Sequence, residues 1–196
     1  MTEQELVAAA RSGDPDAFAR LVEANQTKVY NLAYRMTGNP EDAADLTQEA
    51  VLNAWRGLAR FGGQSAFSTW LYRLTSNACI DFLRRQGRRE TLSMTVEENG
   101  DEARQAERPD ERWSPERELE RREAKEALEA GLAALSPDHR QVLLLRELEG
   151  LSYSEIAQSL ALEEGTVKSR IARARLALRD FLKKSGNFSG PPPSKD

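Results

Sequence analysis

The last helical stretch of the chain carries positively charged side chains at a spacing suited to binding a polyanion. Within residues 164–184, Val167, Ile171, Ala174 and Leu178 recur at steps of three and four and form one apolar stripe. The other faces carry the cations Lys168, Arg170, Arg173, Arg175, Arg179, Lys183 and Lys184. A helix about 10–12 Å across fits the major groove of DNA, where cations contact phosphates and short polar side chains reach base edges.

A shorter helix precedes the basic one and completes a helix-turn-helix. Ser152 is followed three residues later by Glu155, which is a capping box, so a helix is predicted to begin at about Tyr153. A turn at residues 161–163 then leads into the basic helix from about residue 164. The alternative is an ordinary surface helix, because runs of charge usually face water. The small Ala157, the tight turn and the strongly basic helix together favour DNA binding.

Residues 61–89 combine aromatic rings with arginines. A glycine pair at 62–63 predicts a loop, and a helix follows from about Ser65. Bases of single-stranded nucleic acid stack on such rings at about 1–3 kcal/mol each while arginines hold the backbone. Core packing would account for most of the rings without that role. The arginines at 84–89 are harder to explain as core.

The helix predicted over residues 41–58 has a second face that core packing does not require. Its inward positions are Ala43, Leu46, Ala50, Ala54 and Leu58. The positions on or beside the outer face are Asp45, Gln48, Glu49, Leu52 and Trp55. Leu52 and Trp55 could belong to the core, as large aromatics usually do, or form a helix-docking surface with an acidic edge. Spacing alone leaves both interpretations open.

The remaining periodic segments predict further helices and therefore an all-α fold. Asp14-Pro15, Asn39-Pro40 and Ser136-Pro137 each pair an N-cap residue with proline at the first helical position. From Pro115 a charged helix is predicted with Leu119, Ala127, Leu128 and Leu132 facing inward, and in the helix after Ser136 the inward set is Val142, Leu143, Leu145 and Leu148.

Residues 91–115 divide the chain. They hold almost no apolar side chains and many acids, so they are predicted to form a disordered acidic linker. The prediction is thus two helical domains, at 1–90 and 116–184, followed by a disordered tail at 185–196.

The composition excludes several kinds of site. A net charge of −4 looks wrong for a DNA-binding protein, but the acids gather at 97–129 and the bases at 84–89 and 168–184. One cysteine, Cys79, and one histidine leave no disulfide, no metal-ligand set and no expected cofactor. Cys79 is interpreted as a small packing residue, although its redox behaviour stays open. Without an apolar run of about 18 residues, no membrane insertion is expected, and the protein should be cytoplasmic.

Four segments, taken in order, resemble a known family. They are DAADLTQEAVLNAW at 42–55, SAFSTWLYRLTSNACIDFLRR at 65–85, LSYSEIA at 151–157 and GTVKSRIARAR at 165–175. Over residues 16–182 the chain resembles a bacterial RNA polymerase sigma factor of the extracytoplasmic-function group. The resemblance implies a sigma region 2 in the first domain, a region 4 in the second, and promoter recognition, DNA melting and initiation by core polymerase at a specialised stress or envelope-type regulon.

The resemblance also assigns the surfaces. It implies that Asp45, Gln48, Glu49, Leu52 and Trp55 dock on a coiled coil of the polymerase β′ subunit. It implies that single-stranded minus-ten DNA, with a flipped base in a pocket near Asn77, is read by Phe61, Gly63, Gln64, Ser65, Phe67, Trp70, Arg73, Asn77, Arg84 and Arg85. Duplex minus-thirty-five DNA would meet Lys168, Ser169, Ala172 and Arg173 near its bases and Thr166, Arg170 and Arg175 nearer its phosphates, with Tyr153 also in this set. Region 4 would also contact the β flap, and an anti-sigma factor is a further implied partner.

Two departures from the family pattern concern the helix-turn-helix. Ala161 stands where glycine is usual, so the turn should be harder to form, and Glu163 stands where serine is frequent. A two-domain regulator that binds duplex DNA as a dimer without polymerase is the main alternative. An enzyme has little support, because the chain shows no nucleophile-base set, metal cluster or phosphate loop.

Overall fold

The structure is a computed structural model that describes residues 1–63, 65–92 and 115–185, with side chains at 89–92 and 115–118 left out. Within these ranges it contains eight α-helices, one 3₁₀ turn at Leu58–Arg60 and no strand, which confirms the all-α prediction. The helices are α1 Glu3–Arg11, α2 Pro15–Thr37, α3 Pro40–Gly57, α4 Phe67–Leu92, α5 Pro115–Ala133, α6 Pro137–Glu147, α7 Tyr153–Leu160 and α8 Glu164–Lys184. Nearly all of the predicted linker, and all of the tail after residue 185, lie outside the described residues.

The predicted N-caps form as hydrogen bonds. The Asp14 carboxylate accepts from the backbone N–H of residues 16 and 17, at 2.9 and 3.2 Å. The Asn39 side-chain oxygen accepts from residues 41 and 42, at 2.8 and 3.1 Å. Because these donors have no partner within their own helix, the caps fix where α2 and α3 begin. Gly38 separates the two helices at φ 76°, a conformation that glycine adopts without strain.

Helices α1–α4 form the N-terminal domain. Their apolar residues meet in one core, which includes Val29, Leu32, Met36, Ala50 and Leu71, all fully buried. The five inward residues predicted for α3 are buried as well. Alanines at three of those positions let α3 lie close against α2 and α4, which leaves the opposite side of α3 free.

Helices α5–α8 form the C-terminal domain around Val142, Leu145, Ile156, Val167 and Ile171. Helix α5 approaches α8 so closely at Gly131 that a Cβ there would lie 2.6 Å from Leu178 Cδ1.

Two inward predictions for this domain were wrong. Leu119 is 53% exposed and Leu148 is 42% exposed. All of residues 119–126 are exposed, because α5 extends beyond the helices on which it packs, and Leu148 lies past the last turn of α6.

The two domains pack on each other, which the linker did not lead us to expect. Helices α6 and α7 lie against α4, while α5 and α6 also touch α2. In the described part of the chain, no helix combines the length and apolarity needed to cross a bilayer.

Candidate nucleic-acid interface

The helix-turn-helix begins with the predicted capping box. Ser152 Oγ accepts from the Glu155 N–H at 3.2 Å, and the Ser152 N–H donates to the Glu155 carboxylate at 2.8 Å. The Ser152 hydroxyl also donates to the Glu155 carboxylate at 2.6 Å, and this bond, together with the one from the Ser152 N–H, holds the pKa of Glu155 below its usual range. Helix α7 therefore starts at Tyr153, as the sequence predicted.

The turn between α7 and α8 contains a strained residue. Ala161 has φ 52° and ψ 46°, and no other non-glycine residue in the described ranges has a positive φ. The left-handed conformation costs an L-residue about 1–2 kcal/mol. The Leu162 N–H closes the turn on the Ala157 carbonyl at 2.9 Å. The departure from glycine thus leaves the turn geometry intact and places strain in it.

Helix α8 buries its apolar stripe and presents the opposite side to solvent. Val167, Ile171 and Ala174 are buried. The exposed residues across the helix that were predicted to lie near bases are Lys168, Ser169, Ala172 and Arg173, which we name the outer face of α8. Lys168 Nζ lies 2.6 Å from the Glu164 carboxylate, which raises the pKa of that lysine.

The two arginines predicted to lie near phosphate flank the outer face and are held by acids of α6. Arg175 Nε donates to the Glu147 carboxylate at 3.0 Å, and Arg170 lies 3.6 Å from Asp138. Glu147 raises the pKa of Arg175. The centroid of the Tyr153 ring lies 4.9 Å from the Arg146 guanidinium and 5.7 Å from Lys168 Nζ. These pairs orient the cations before any phosphate arrives. Thr166 is half-buried at the start of the helix.

Three residues predicted to contact minus-ten DNA share one side of α4. Arg73, Asn77 and Arg84 are separated by four and seven positions, so they fall within about 40° of one another around the helix. We name them the α4 stripe. Arg85 lies beside the stripe and is exposed.

The aromatic residues before and within α4 pack on one another. Phe61, Phe67 and Trp70 are all buried, and Phe67 is only 1% exposed. The Phe61 and Trp70 rings stack with centroids 4.7 Å apart, and Phe67 meets Phe61 edge-on at 6.2 Å. Core packing therefore occupies these three rings, and in this conformation they do not form an open stacking platform for bases.

A cavity of about 350 Å³ lies between these rings and α7. The N-terminal domain contributes Phe61, Ser65, Trp70 and Arg73 to its wall, and α7 contributes Glu155. Gly63, with φ 67°, makes the nearby loop, whereas Gln64 lies outside the described residues. The loop and the first turns of α4 thus border an open space rather than solid core.

The α3 face, defined as Asp45, Gln48, Glu49, Leu52 and Trp55, is exposed. Leu52 is 54% exposed and Trp55 is 41% exposed, although the Trp55 ring packs on one side against Phe18 at 4.9 Å. Exposure of a leucine and a tryptophan beside three polar residues favours the docking interpretation over the core interpretation. Burial, together with the charges of Asp45 and Glu41, raises the pKa of neighbouring Asp42.

Comparison with known proteins decides the family. Residues 21–89 match the model of Sigma-70 region 2, and residues 125–178 match that of Sigma-70 region 4. The RNA polymerase sigma-H factor of Pseudomonas aeruginosa is 39% identical over 180 residues, covering 92% of this chain and 93% of that protein. The chain belongs to the extracytoplasmic-function sigma factors. The sigma-E factor of Escherichia coli K12 is 38% identical, covering 91% of this chain and 93% of its own length.

This sigma factor is a transcription initiation factor and not an enzyme. It binds core RNA polymerase and directs promoter recognition, DNA melting and initiation at a specialised stress or envelope-type regulon.

Solved structures agree with the fold of the sigma factor. The chain is 25% identical to RpoE of Bartonella quintana, solved in complex with the anti-sigma factor NepR, with a TM-score of 0.66 over 85% of this chain and 96% of that one. It is also 25% identical to CnrH, solved in complex with the cytosolic domain of CnrY, with a TM-score of 0.64 over 93% of this chain and 97% of that one.

Sequence reasoning missed the polar residues of the sigma factor that join its domains. Asp138, Arg140 and Gln141, in the first turns of α6, contact residues of the N-terminal domain, and Tyr72 of α4 hydrogen-bonds to Glu149 after α6. Arg140 and Gln141 lie in a part of α6 that the structure buries without interruption from residue 140 to 145, and no pattern in the sequence marked them.

Cys79 of the sigma factor behaves as a packing residue. It is fully buried, and burial raises the pKa of its thiol to about 12. A thiol held neutral in this way is a poor nucleophile toward oxidants. The described residues contain no group of three or more potential metal ligands.

Proposed function

We propose that the α3 face is the surface that docks on the β′ coiled coil of core polymerase. The exposed Leu52 and Trp55 supply an apolar anchor, and Asp45, Gln48 and Glu49 supply a polar and acidic rim. The proposal rests on the exposure of this surface, because a regulator that binds duplex DNA without polymerase needs no such docking surface.

The minus-ten element is assigned to the α4 stripe and the loop before it. Arginines at 73 and 84 offer charge to the backbone of an unpaired strand, and the Asn77 amide can pair with a base edge. Phe61, Phe67 and Trp70 act indirectly in this proposal, because their packing shapes the cavity beside Arg73 and Ser65. The remaining members of this surface are Gly63, Gln64 and Arg85. Binding energy at the pocket offsets the few kcal/mol that unstacking a base costs.

The minus-thirty-five element is assigned to α8 in the major groove. The outer face of α8 lies near bases, while Thr166, Arg170, Arg175 and Tyr153 lie near phosphates. The exposure of Arg173 supports this, because in the described residues it forms no ion pair and is free to reach a base.

The domain boundaries follow the same assignment: residues 1–90 as region 2, 91–115 as an acidic linker, 116–184 as region 4 and 185–196 as a tail. Region 4 contacts the β flap. An anti-sigma factor is a partner of this chain, by analogy with the complexes of RpoE with NepR and of CnrH with CnrY. The protein acts in the cytoplasm, where its polymerase is.

Run-off transcription on fragmented genomic DNA of the source organism tests the function. Purified core polymerase is used with and without the protein, and start sites that need the protein reveal its promoter motif. These starts should fade with Asn77→Ala and with Leu52→Ala. Loss of core binding, measured by fluorescence anisotropy, should accompany Leu52→Ala alone.

Leu119→Ala is the matched control. Leu119 and Leu52 are exposed to the same degree, 53% and 54%, and both stand on helices. Truncating an anchor at an interface weakens binding by about tenfold or more, whereas truncating a solvent-facing leucine does not. Equal effects of the two substitutions on core affinity would remove the α3 face from the proposal.

A further inference from the structure

Helix α6 of the C-terminal domain lies on the α4 stripe of the N-terminal domain. Gln141 Nε2 donates to Ser76 Oγ at 3.0 Å and to Asn77 Oδ1 at 3.1 Å. Gln141 is buried in this contact. A side-chain amide donating to Asn77 does what the exocyclic amine of a base would do in the same place.

One carboxylate joins arginines from both DNA-binding surfaces. Asp138 accepts from Arg84 Nη2 at 3.1 and 3.4 Å through its two oxygens, and it lies 3.6 Å from Arg170 Nη1 of α8. A carboxylate between two guanidinium groups presents the charge and the acceptor oxygens that a phosphate would bring.

A buried arginine fastens α6 in this position. Arg140 donates through Nη1 to the Met36 carbonyl in the last turn of α2, and through Nη2 to the carbonyls of Ala133 and Leu135, at 2.7 and 3.2 Å. These carbonyls lie at the C-terminal ends of α2 and α5, where the helix dipole attracts a cation. Burial lowers the pKa of Arg140, and in the described structure its Nε has no hydrogen-bond partner.

We propose that the first turns of α6 are an internal substitute for minus-ten DNA, which occupies the α4 stripe until promoter DNA displaces it. The proposal rests on the proposed function, because it takes Asn77 and Arg84 as contacts of the unpaired strand. Gln141 takes the place of a base and Asp138 takes the place of a phosphate. The buried hydrogen bonds of Arg140 hold α6 in this position.

The contacts that Asp138 and Gln141 make on the α4 stripe differ in strength. The Arg84–Asp138 pair is half-exposed on both sides, and such pairs contribute about 0–1 kcal/mol. Gln141 is buried and makes two hydrogen bonds, each a larger contribution than a solvent-exposed pair. An unpaired strand can replace the contacts of Gln141 and Asp138 on the α4 stripe, whereas opening breaks the Arg140 hydrogen bond to the Met36 carbonyl without a replacement.

Distances between spin labels on the full chain test the interface directly. Labels are attached at Ala19→Cys on α2 and Lys184→Cys on α8, both exposed positions, while Cys79 stays unlabelled because it is buried. The test variant is Asp138→Asn with Gln141→Ala. The control is Asp180→Asn, the same chemical change at an acid whose ion pair, with Arg179, lies within α8.

We expect the test variant to lengthen the interdomain distance and to bind a minus-ten single-stranded oligonucleotide about tenfold more tightly than the parent chain. The oligonucleotide comes from a promoter found by run-off transcription, and a strand of scrambled sequence is the control. The Asp180→Asn control should match the parent in both measurements. Adding the oligonucleotide to the labelled chain without these substitutions should also lengthen the distance. This measurement requires no change at the interface.

Two results would overturn the proposal. If the distance is the same in the test variant and the control, and the oligonucleotide does not change it, α6 does not hold the domains together. If the distance lengthens but the oligonucleotide affinity does not rise, α6 joins the domains without standing in for DNA. The proposed function fails by a different result, namely start sites that persist in Asn77→Ala, while the distances measured without DNA stay valid.

Discussion

The two DNA-facing surfaces of this sigma factor are chemically alike and structurally opposite. The outer face of α8 and the α4 stripe both combine arginine with a short polar side chain. The outer face of α8 is open to solvent, with Arg173 exposed. The α4 stripe is engaged by the C-terminal domain, with Asn77 bonded to Gln141 and Arg84 to Asp138, although both side chains remain partly open to solvent. The two surfaces thus carry similar side chains but differ in how available these are to DNA, because α6 contacts one surface and not the other.

The difference separates two steps that a sigma factor must perform. Duplex recognition requires a rigid helix that is ready before DNA arrives, and α8 meets this condition because its stripe is anchored in the core. Capture of an unpaired strand requires a surface that is useful only once the duplex opens. Contacts of modest strength to Asn77 and Arg84 compete with unproductive binding of single strands to that surface.

The largest expected effect contrasts two arginines, one at the covered interface and one on the open face. Arg140→Ala should lower the free energy of unfolding by about 2–4 kcal/mol, because it leaves three buried carbonyls without a donor. Arg173→Ala should change it by less than about 0.5 kcal/mol, as exposed substitutions do. Urea denaturation followed by circular dichroism measures both.

A third variant separates hydrogen bonding from packing. Arg140→Met keeps most of the aliphatic stem and removes the guanidinium, so it should recover only a minor part of the lost stability. If Arg140→Met were as stable as the parent chain, the carbonyl contacts would contribute nothing and the interface would be held by apolar packing.

The second prediction concerns the open face and DNA rather than folding. Arg173→Ala should weaken binding to the minus-thirty-five duplex about tenfold while leaving binding to a scrambled duplex unchanged, because a base contact is lost. Arg175→Ala should weaken binding to both duplexes and reduce the slope of log K against log salt by about 1, because a phosphate contact is lost. Anisotropy titrations at several salt concentrations read out both effects.

A substitution at the contacts of the α4 stripe serves as the control for this experiment. Asp138→Asn, which loosens the cover of the α4 stripe, should leave the sequence preference for the minus-thirty-five duplex as it is. A change in that preference would mean that the outer face of α8 is not independent of the interface at α6.

Local chemistry made the individual helices predictable. Asp14, Asn39 and Ser136 are N-caps with proline next, and the Ser152–Glu155 capping box fixes α7. Each of these signals depends on residues within four positions of one another, so one sequence contains them completely. The exposed positions of α3 were predicted for the same reason, although the choice between core and docking surface needed the family resemblance.

Contacts between distant segments were not predictable in this way. Gln141 and Asn77 are 64 positions apart, and no periodicity relates α6 to α4. The prediction of two domains carried no information on how they pack on each other. The same limit applies to Phe61 and Trp70, whose stacking against each other depends on where the loop before α4 returns.

The third prediction tests the strained turn that leads to the open face. Ala161→Gly should stabilise the chain by about 0.5–1 kcal/mol, since glycine relieves the left-handed strain and loses some of that gain through its more flexible unfolded state. Ala177→Gly, the same change on the exposed side of α8, should destabilise by about 1 kcal/mol. Thermal unfolding of the two variants side by side distinguishes them, and destabilisation by both would contradict the conformation of Ala161.

The smallest expected effect concerns the proton balance of the covered interface. The Tyr72 hydroxyl donates a hydrogen bond to Glu149, and the nearby positive charge of Lys28 favours the charged form of that carboxylate. The negative charge of Glu3 raises the pKa of Tyr72. Burial outweighs these partners and raises the pKa of Glu149 in the closed arrangement. Closing therefore takes up a proton, so this group favours closure below its ordinary pKa, and that contribution is lost as the pH rises through the closed-state value.

At neutral pH an ionised Glu149 thus opposes closure, and Glu149→Gln should increase the ratio of closed to open chains about twofold while keeping an acceptor for Tyr72. Spin-label distances at pH 5 and pH 7.5 should also differ less in the variant than in the parent. Glu147→Gln is the control, because that exposed carboxylate pairs with Arg175 within the C-terminal domain. A more open Glu149→Gln chain would show that the charge of Glu149 attracts Lys28 more strongly than burial opposes it, and the sign of the pH dependence would reverse.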